Sequence, residues 1–139
     1  MKIIALDLGE SRTGVALCEK DELIASPLTV INEKSPERLL NRICEIILEK
    51  SPDMIVVGHP VNMDGSRGER AEKCAATAER ISSVTGIETV LWDERCTTVM
   101  AHGILSETGK HGKKRKQVVD AVAATLILES FLDYRRNRK

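Results

Sequence analysis

The chain has 139 residues, with 21 basic and 21 acidic side chains, so its net charge does not by itself point to a polyanion. That length suits one domain with a sizeable core, spanning residues 1–139. Three aromatic residues, Trp92, Phe131 and Tyr134, are too few for a protein that works by stacking bases, and no apolar run is long enough to cross a membrane.

The first element is the apolar run Ile3 to Leu6, the habit of a strand buried on both faces. Asp7 interrupts it. Leu8 and Gly9 follow, and Gly14 opens a second run, Val15 to Cys18, that returns beside the first. A third strand is expected over Glu22 to Ile31, with Pro27 marking an edge position or a strand end, so the first three strands form an antiparallel meander. Ser35-Pro36-Glu37 is a helix start, with Ser as cap, Pro at the first helical position and an acid in the first turn. Leu39, Leu40, Ile43, Ile46 and Ile47 then recur at helical spacing until Ser51-Pro52.

Asp53 to Gly58 reads as a buried strand parallel to the first, because a helix joins them. It runs into a polar loop from His59 to Gly68, at the strand edge where open α/β sheets bind ligands. A second helix carries Ala71, Cys74, Ala75, Ala78, Ile81 and Val84 on one stripe and closes at Gly86. Glu88 to Trp92 is a fifth strand, ending in Asp93-Glu94-Arg95. A further helix is expected from Thr97 or Thr98 to about Ser106, then a Gly- and Lys-rich loop over Thr108 to Lys116, and a last helix from about Lys116 to Tyr134. The fold class is α/β, a mixed five-stranded sheet with helices on both faces. Cys18, Cys44, Cys74 and Cys96 lie far apart without a C-x-x-C pair, the pattern of reduced core cysteines in an intracellular protein rather than of a zinc site.

Three acidic positions stand apart. Asp7 ends the first strand and Asp93-Glu94 the fifth. Asp120 shares a helical stripe with Ala123, Ala124, Ile127 and Phe131, where an acid is costly unless it is paired, hydrogen-bonded or bound to a metal. Side chains alternate along a strand, so only one of Asp93 and Glu94 can face Asp7. Carboxylates gathered at strand ends favour Mg²⁺ or Mn²⁺, and such ions activate water for phosphodiester hydrolysis. Arg12, Arg67, Arg70 and Arg95 are candidates to hold phosphates, as are Lys113, Lys114, Arg115 and Lys116 in the basic loop beside the site.

The blocks Asp7-Leu8-Gly9 with Arg12-Thr13-Gly14-Val15-Ala16, Gly58 to Ser66, Trp92 to Thr98 and Asp120 to Ser130 resemble the signature blocks of the YqgF/RuvX family. That bacterial family of RNase H-like proteins is described as Holliday-junction-resolvase-like and as the nuclease that matures the 5′ end of 16S ribosomal RNA. The resemblance implies an RNase H-like fold, a cytoplasmic location and a divalent-metal site formed by Asp7, Glu94 and Asp120. It also implies a nucleic-acid partner, a ribosomal RNA precursor or branched DNA, with the ribosome as a further partner; the sequence leaves monomer and homodimer both open. It favours Glu94 over Asp93. His59 stands where the family has Leu and is expected to be a satisfied loop histidine; Cys74 stands where an aromatic is common. Two other classes compete. Asp7 to Gly14 also fits the phosphate-cradling D-x-G pattern of sugar-kinase or actin-like ATPases, but the chain has no room for their second lobe. A non-catalytic RNA- or ribosome-associated module would keep the fold without the chemistry.

Overall fold

The computed structural model describes residues 1–61, 64–94 and 112–137, with residues 112–121 described as helix backbone. In chain order these residues form β1 (Ile3–Leu8), β2 (Arg12–Cys18), β3 (Ala25–Asn32), α1 (Pro36–Lys50), β4 (Met54–His59), α2 (Glu69–Thr85), β5 (Glu88–Asp93) and α3 (Gly112–Asn137). The strands make one sheet in the order β3-β2-β1-β4-β5. β1, β2 and β3 are antiparallel neighbours, and β4 and β5 run parallel to β1. The mixed sheet read from the sequence is thus the sheet observed. The expected helix between Thr97 and Ser106 lies outside the described residues, as do Arg95 and Cys96.

Alternation along the central strands divides the core in two. Ile4, Leu6 and Leu8 of β1, with Ile55 and Val57 of β4, pack against Leu40, Ile43 and Ile47 of α1 and Cys74, Ala78 and Ile81 of α2. Ile3 and Ala5, with Ala16, Cys18, Met54 and Val56, pack on the opposite face against Ala124, Ile127, Leu128, Phe131 and Leu132 of α3. Both faces of β1 are therefore covered, which is why its sequence is a continuous apolar run. α1 starts at an extended Ser35 with Pro36 behind it and stops at Ser51, whose left-handed backbone (φ 50°) sends its N–H to the Ile47 carbonyl at 2.8 Å. Gly86, at φ 72°, ends α2 in the same way.

Two boundaries differ from the sequence reading. β3 begins at Ala25, not Glu22, because Glu22 takes a left-handed backbone (φ 56°) in a turn after β2. Pro27 lies within β3, opposite Ala16 and beside an irregularity in the β2–β3 register, and β3 is an edge strand, so its missing N–H disturbs no inner ladder. The basic segment also differs. Lys113, Lys114, Arg115 and Lys116 belong to the opening turns of α3 rather than to a loop, since the helix begins at Gly112. Lys, Arg and Gln are good helix formers, and no Gly or Pro interrupts the run from Lys113 onward. Residues 108–111 lie outside the described residues.

Candidate active site at the carboxyl edge of the sheet

β1, β4 and β5 run in the same direction and end together at Leu8, His59 and Asp93. On β1, Ile3 and Ala5 face α3, so alternation puts Asp7 on that face too, and it is only 7% exposed. Its antiparallel neighbour on β2 is Gly14, which presents no side chain beside it. On β4 the same face carries Met54, Val56 and then Gly58. The space that a Gly58 side chain would fill is taken by Glu94. A Cβ there would stand 3.1 Å from Cγ and Cδ of Glu94 and 2.6 Å from Cδ1 of Ile127 in α3. Val90 and Trp92 of β5 also face α3, which leaves Asp93 on the α2 side. Glu94, and not Asp93, shares a face with Asp7.

Asp7 and Glu94 are hydrogen-bonded to each other. Burial first, and then the adjacent Asp7 charge, push the Glu94 carboxyl up to about 8; Arg70 opposes the shift. Two carboxylates this close in a largely desolvated site cannot both ionise cheaply, which favours a proton shared between them. Arg70 reaches across from α2. Its Nη2 lies 3.7 Å from Asp7 Oδ1 and donates to the Leu8 carbonyl at 3.1 Å.

α3 is oriented with its amino end toward this edge. Ile127 lies against Gly58 near the carboxyl end of β4, while Arg135 bonds Glu22 beyond the other end of the sheet. Asp120 precedes Ala124, Ile127 and Phe131 on one helical stripe, and all three are buried against the sheet. Its helix position is therefore two turns beyond Ile127, toward Asp7 and Glu94. Its side chain lies outside the described residues, and among the described residues no three or more His, Cys, Asp or Glu gather at one point.

The remaining candidates are more dispersed. Arg12 opens β2 opposite Asn32 and is half-buried, and Arg67 is exposed in the segment before α2. Arg95 and the side chains of Lys113, Lys114, Arg115 and Lys116 lie outside the described residues. His59 is the last residue of β4, paired with Asp93 on β5; its buried Nε2 has no hydrogen-bond partner among the described residues, unlike the satisfied loop histidine expected. Gly58 was not singled out as a site residue. The signal available was a glycine at the end of a β-branched run, which marks close approach of another group.

A buried acid at the end of the central strand, a second acid seated over a glycine and a third on the packed helix span the length of the chain in the order of one known family. The family model described as RuvX, Holliday junction resolvase, matches residues 1–134. The chain belongs to the RuvX family. An Agathobacter rectalis relative named "Putative pre-16S rRNA nuclease" is 41% identical, with 100% of this chain and 99% of the relative aligned. One of the same name from Thermoanaerobacter pseudethanolicus is 40% identical, over 99% of this chain and 100% of the relative. Among solved structures, Thermus thermophilus RuvC matches with a TM-score of 0.59 at 14% identity, covering 99% of this chain and 97% of RuvC. The Fowlpox virus resolvase, solved with Holliday junction DNA, matches at 0.61 and 7% identity, covering 96% and 98%. These structural likenesses give this RuvX chain an RNase H-like fold.

Proposed function

We propose that this chain is a divalent-metal-dependent nuclease that hydrolyses phosphodiesters in the 5′ maturation of pre-16S ribosomal RNA, and so works in the cytoplasm. The observation that carries the reading is the pairing of buried Asp7 with Glu94 on one face of the sheet edge, two hard oxygen donors brought together by the side-chain space left open at Gly58. Asp7, Glu94 and Asp120 would hold Mg²⁺ or Mn²⁺, which when bound supplies an activated water and neutralises charge on the phosphate. Glu94 would ligate as the carboxylate, releasing its proton to solvent on loading. Arg70, bonded to the Leu8 carbonyl and close to Asp7, is placed to orient a non-bridging phosphate oxygen. Arg12, Arg67, Arg95 and the basic start of α3 (Lys113, Lys114, Arg115, Lys116) supply further phosphate contacts. The names of the relatives favour the ribosomal RNA precursor as substrate.

The test is Asp7→Asn, which keeps size and removes the ligating charge. The wild type should cut a pre-16S fragment with Mn²⁺ and not in excess chelator. Asp7→Asn should lose cleavage and Mn²⁺ binding while keeping its circular dichroism spectrum. Cleavage of a four-way DNA junction in preference to the RNA would make the chain a junction resolvase. Wild-type protein inert on both substrates with both metals would leave a non-catalytic RNA-associated module.

A further inference from the structure

The face of the sheet opposite α3 carries a groove of about 510 Å³ between α1 and α2, within the roughly 300–1,000 Å³ of ligand sites. One end opens at Leu8 and Gly9, where β1 delivers Asp7. The floor is apolar, made by Leu39, Leu40 and Cys74, and the rim carries Lys34, Arg70 and Lys73. Arg70 belongs to both places, since it lines the groove and lies 3.7 Å from Asp7. At the far end Arg80 grips Glu37 with bonds of 2.8 and 3.0 Å and ties α2 to α1.

The charges leave the rim positive. Lys34 is exposed and makes no ion pair among the described residues. Lys73 meets Glu69 at 3.3 Å in an exposed pair one helical turn apart, a contact that water or a phosphate readily replaces. Glu37 is spent on Arg80, which leaves Glu10 as an acid in the lining. The amino end of α1 adds its dipole. An apolar peptide would leave Lys34 without a counter-charge and the rim positive, and a small free anion would have no use for the floor. A nucleotide uses both.

We propose that this groove binds a nucleotide of the single-stranded nucleic acid flanking the phosphodiester cut at Asp7 and Glu94, with its phosphate on Lys34 and Lys73 and its base against Leu39 and Leu40. The proposal extends the nuclease reading by giving the strand a path over the carboxyl end of β1, with Arg70 as the shared post. Trp92, Phe131 and Tyr134 cluster on the α3 side, so the grip on the base is aliphatic and discriminates little between bases.

The probe is a fluorescein-labelled uridine octamer, titrated by anisotropy in EDTA from 50 to 200 mM NaCl. Lys34→Ala with Lys73→Ala should weaken binding about tenfold at low salt and flatten the log–log salt slope by about 0.7, the value for one neutralised phosphate. Both lysines are exposed, so the double variant should keep the wild-type Tm. Thr77→Trp fills the groove without removing charge and should weaken the octamer while leaving the salt slope steeper than in the double lysine variant. Mn²⁺ binding should be unchanged in both. Wild-type affinity and slope in the folded variants would overturn the groove, and retained wild-type cleavage in the same samples would leave the nuclease reading standing. Octamer binding lost in both variants of a protein that cuts no RNA would keep the groove and remove the nuclease.

Discussion

Gly58 and Glu94 compete for one space, and the competition fixes the site. With alanine at 58 the added methyl meets Ile127 at 2.6 Å and the Glu94 carboxyl at 3.1 Å. Overpacking of this kind costs about 1–3 kcal/mol, and the cheaper relief is to push Glu94 away from Asp7. Gly58→Ala should therefore lose Mn²⁺ affinity along with its modest loss of stability; urea unfolding and a Mn²⁺ titration measure the two. The Glu94 carboxyl gives a second expectation. Its folded value of about 8 lies above the ordinary 4.5, so the folded chain binds this proton more tightly than the unfolded chain does. That contribution is complete below pH 4.5 and is lost as pH rises through 8. Metal-free stability should fall across that window, and Glu94→Gln should flatten the fall. If Mn²⁺ binds at Asp7 and Glu94 as proposed, it would take the place of the proton and should raise the Tm more at pH 8.5 than at pH 6.

At the scale of elements, the amino terminus, the turn after β2 and the end of α3 are fastened together by Glu22. Its carboxylate accepts from Arg135 Nε at 2.9 Å and from the terminal ammonium at 2.8 Å. Arg135 above all, and then the ammonium, hold the Glu22 carboxyl down to about 2. The sign is opposite to that of Glu94: the stabilisation is present above pH 4.5 and is lost as pH falls toward 2. Glu22→Gln should cost about 1.5–3 kcal/mol at pH 7, in the range of hydrogen bonds to charged groups, and little at pH 2, as thermal melts at the two pH values would show. None of this was legible in the sequence, because Arg135 lies 113 residues from Glu22 and no local pattern joins them. The same turn delayed the start of β3. The elements that could be read were those whose own residues settle them: the doubly buried β1 and β4, the Ser-Pro start of α1, the Gly86 stop of α2. Asp7 was legible as the one acid in an apolar run. That Glu94 rather than Asp93 accompanies it depends on the β4–β5 register and on the space over Gly58, which only the folded sheet supplies.

For the whole molecule, zero net charge hides an uneven distribution. Four basic residues open α3 and precede Asp120 by about one turn. Replacing Lys113, Lys114, Arg115 and Lys116 together by Ala should reduce the salt slope for single-stranded RNA by up to about 2.8, and an unchanged slope would show that this helix start touches no phosphate. α3 also works as a lever. Its buried half, from Ala124 to Leu132, is clamped on the sheet, with Phe131 against the edge of Trp92 at 5.4 Å between ring centroids. Position 120 lies eleven residues away, about 16 Å along the axis. A tilt of about 5° with Phe131 as fulcrum swings that position by about 1.4 Å, when a misplacement of about 1 Å can cost on the order of 100-fold in rate. The contact of Phe131 with Trp92 thus anchors the helix that carries position 120, and Phe131→Leu should lower kcat on RNA while leaving KM near its wild-type value.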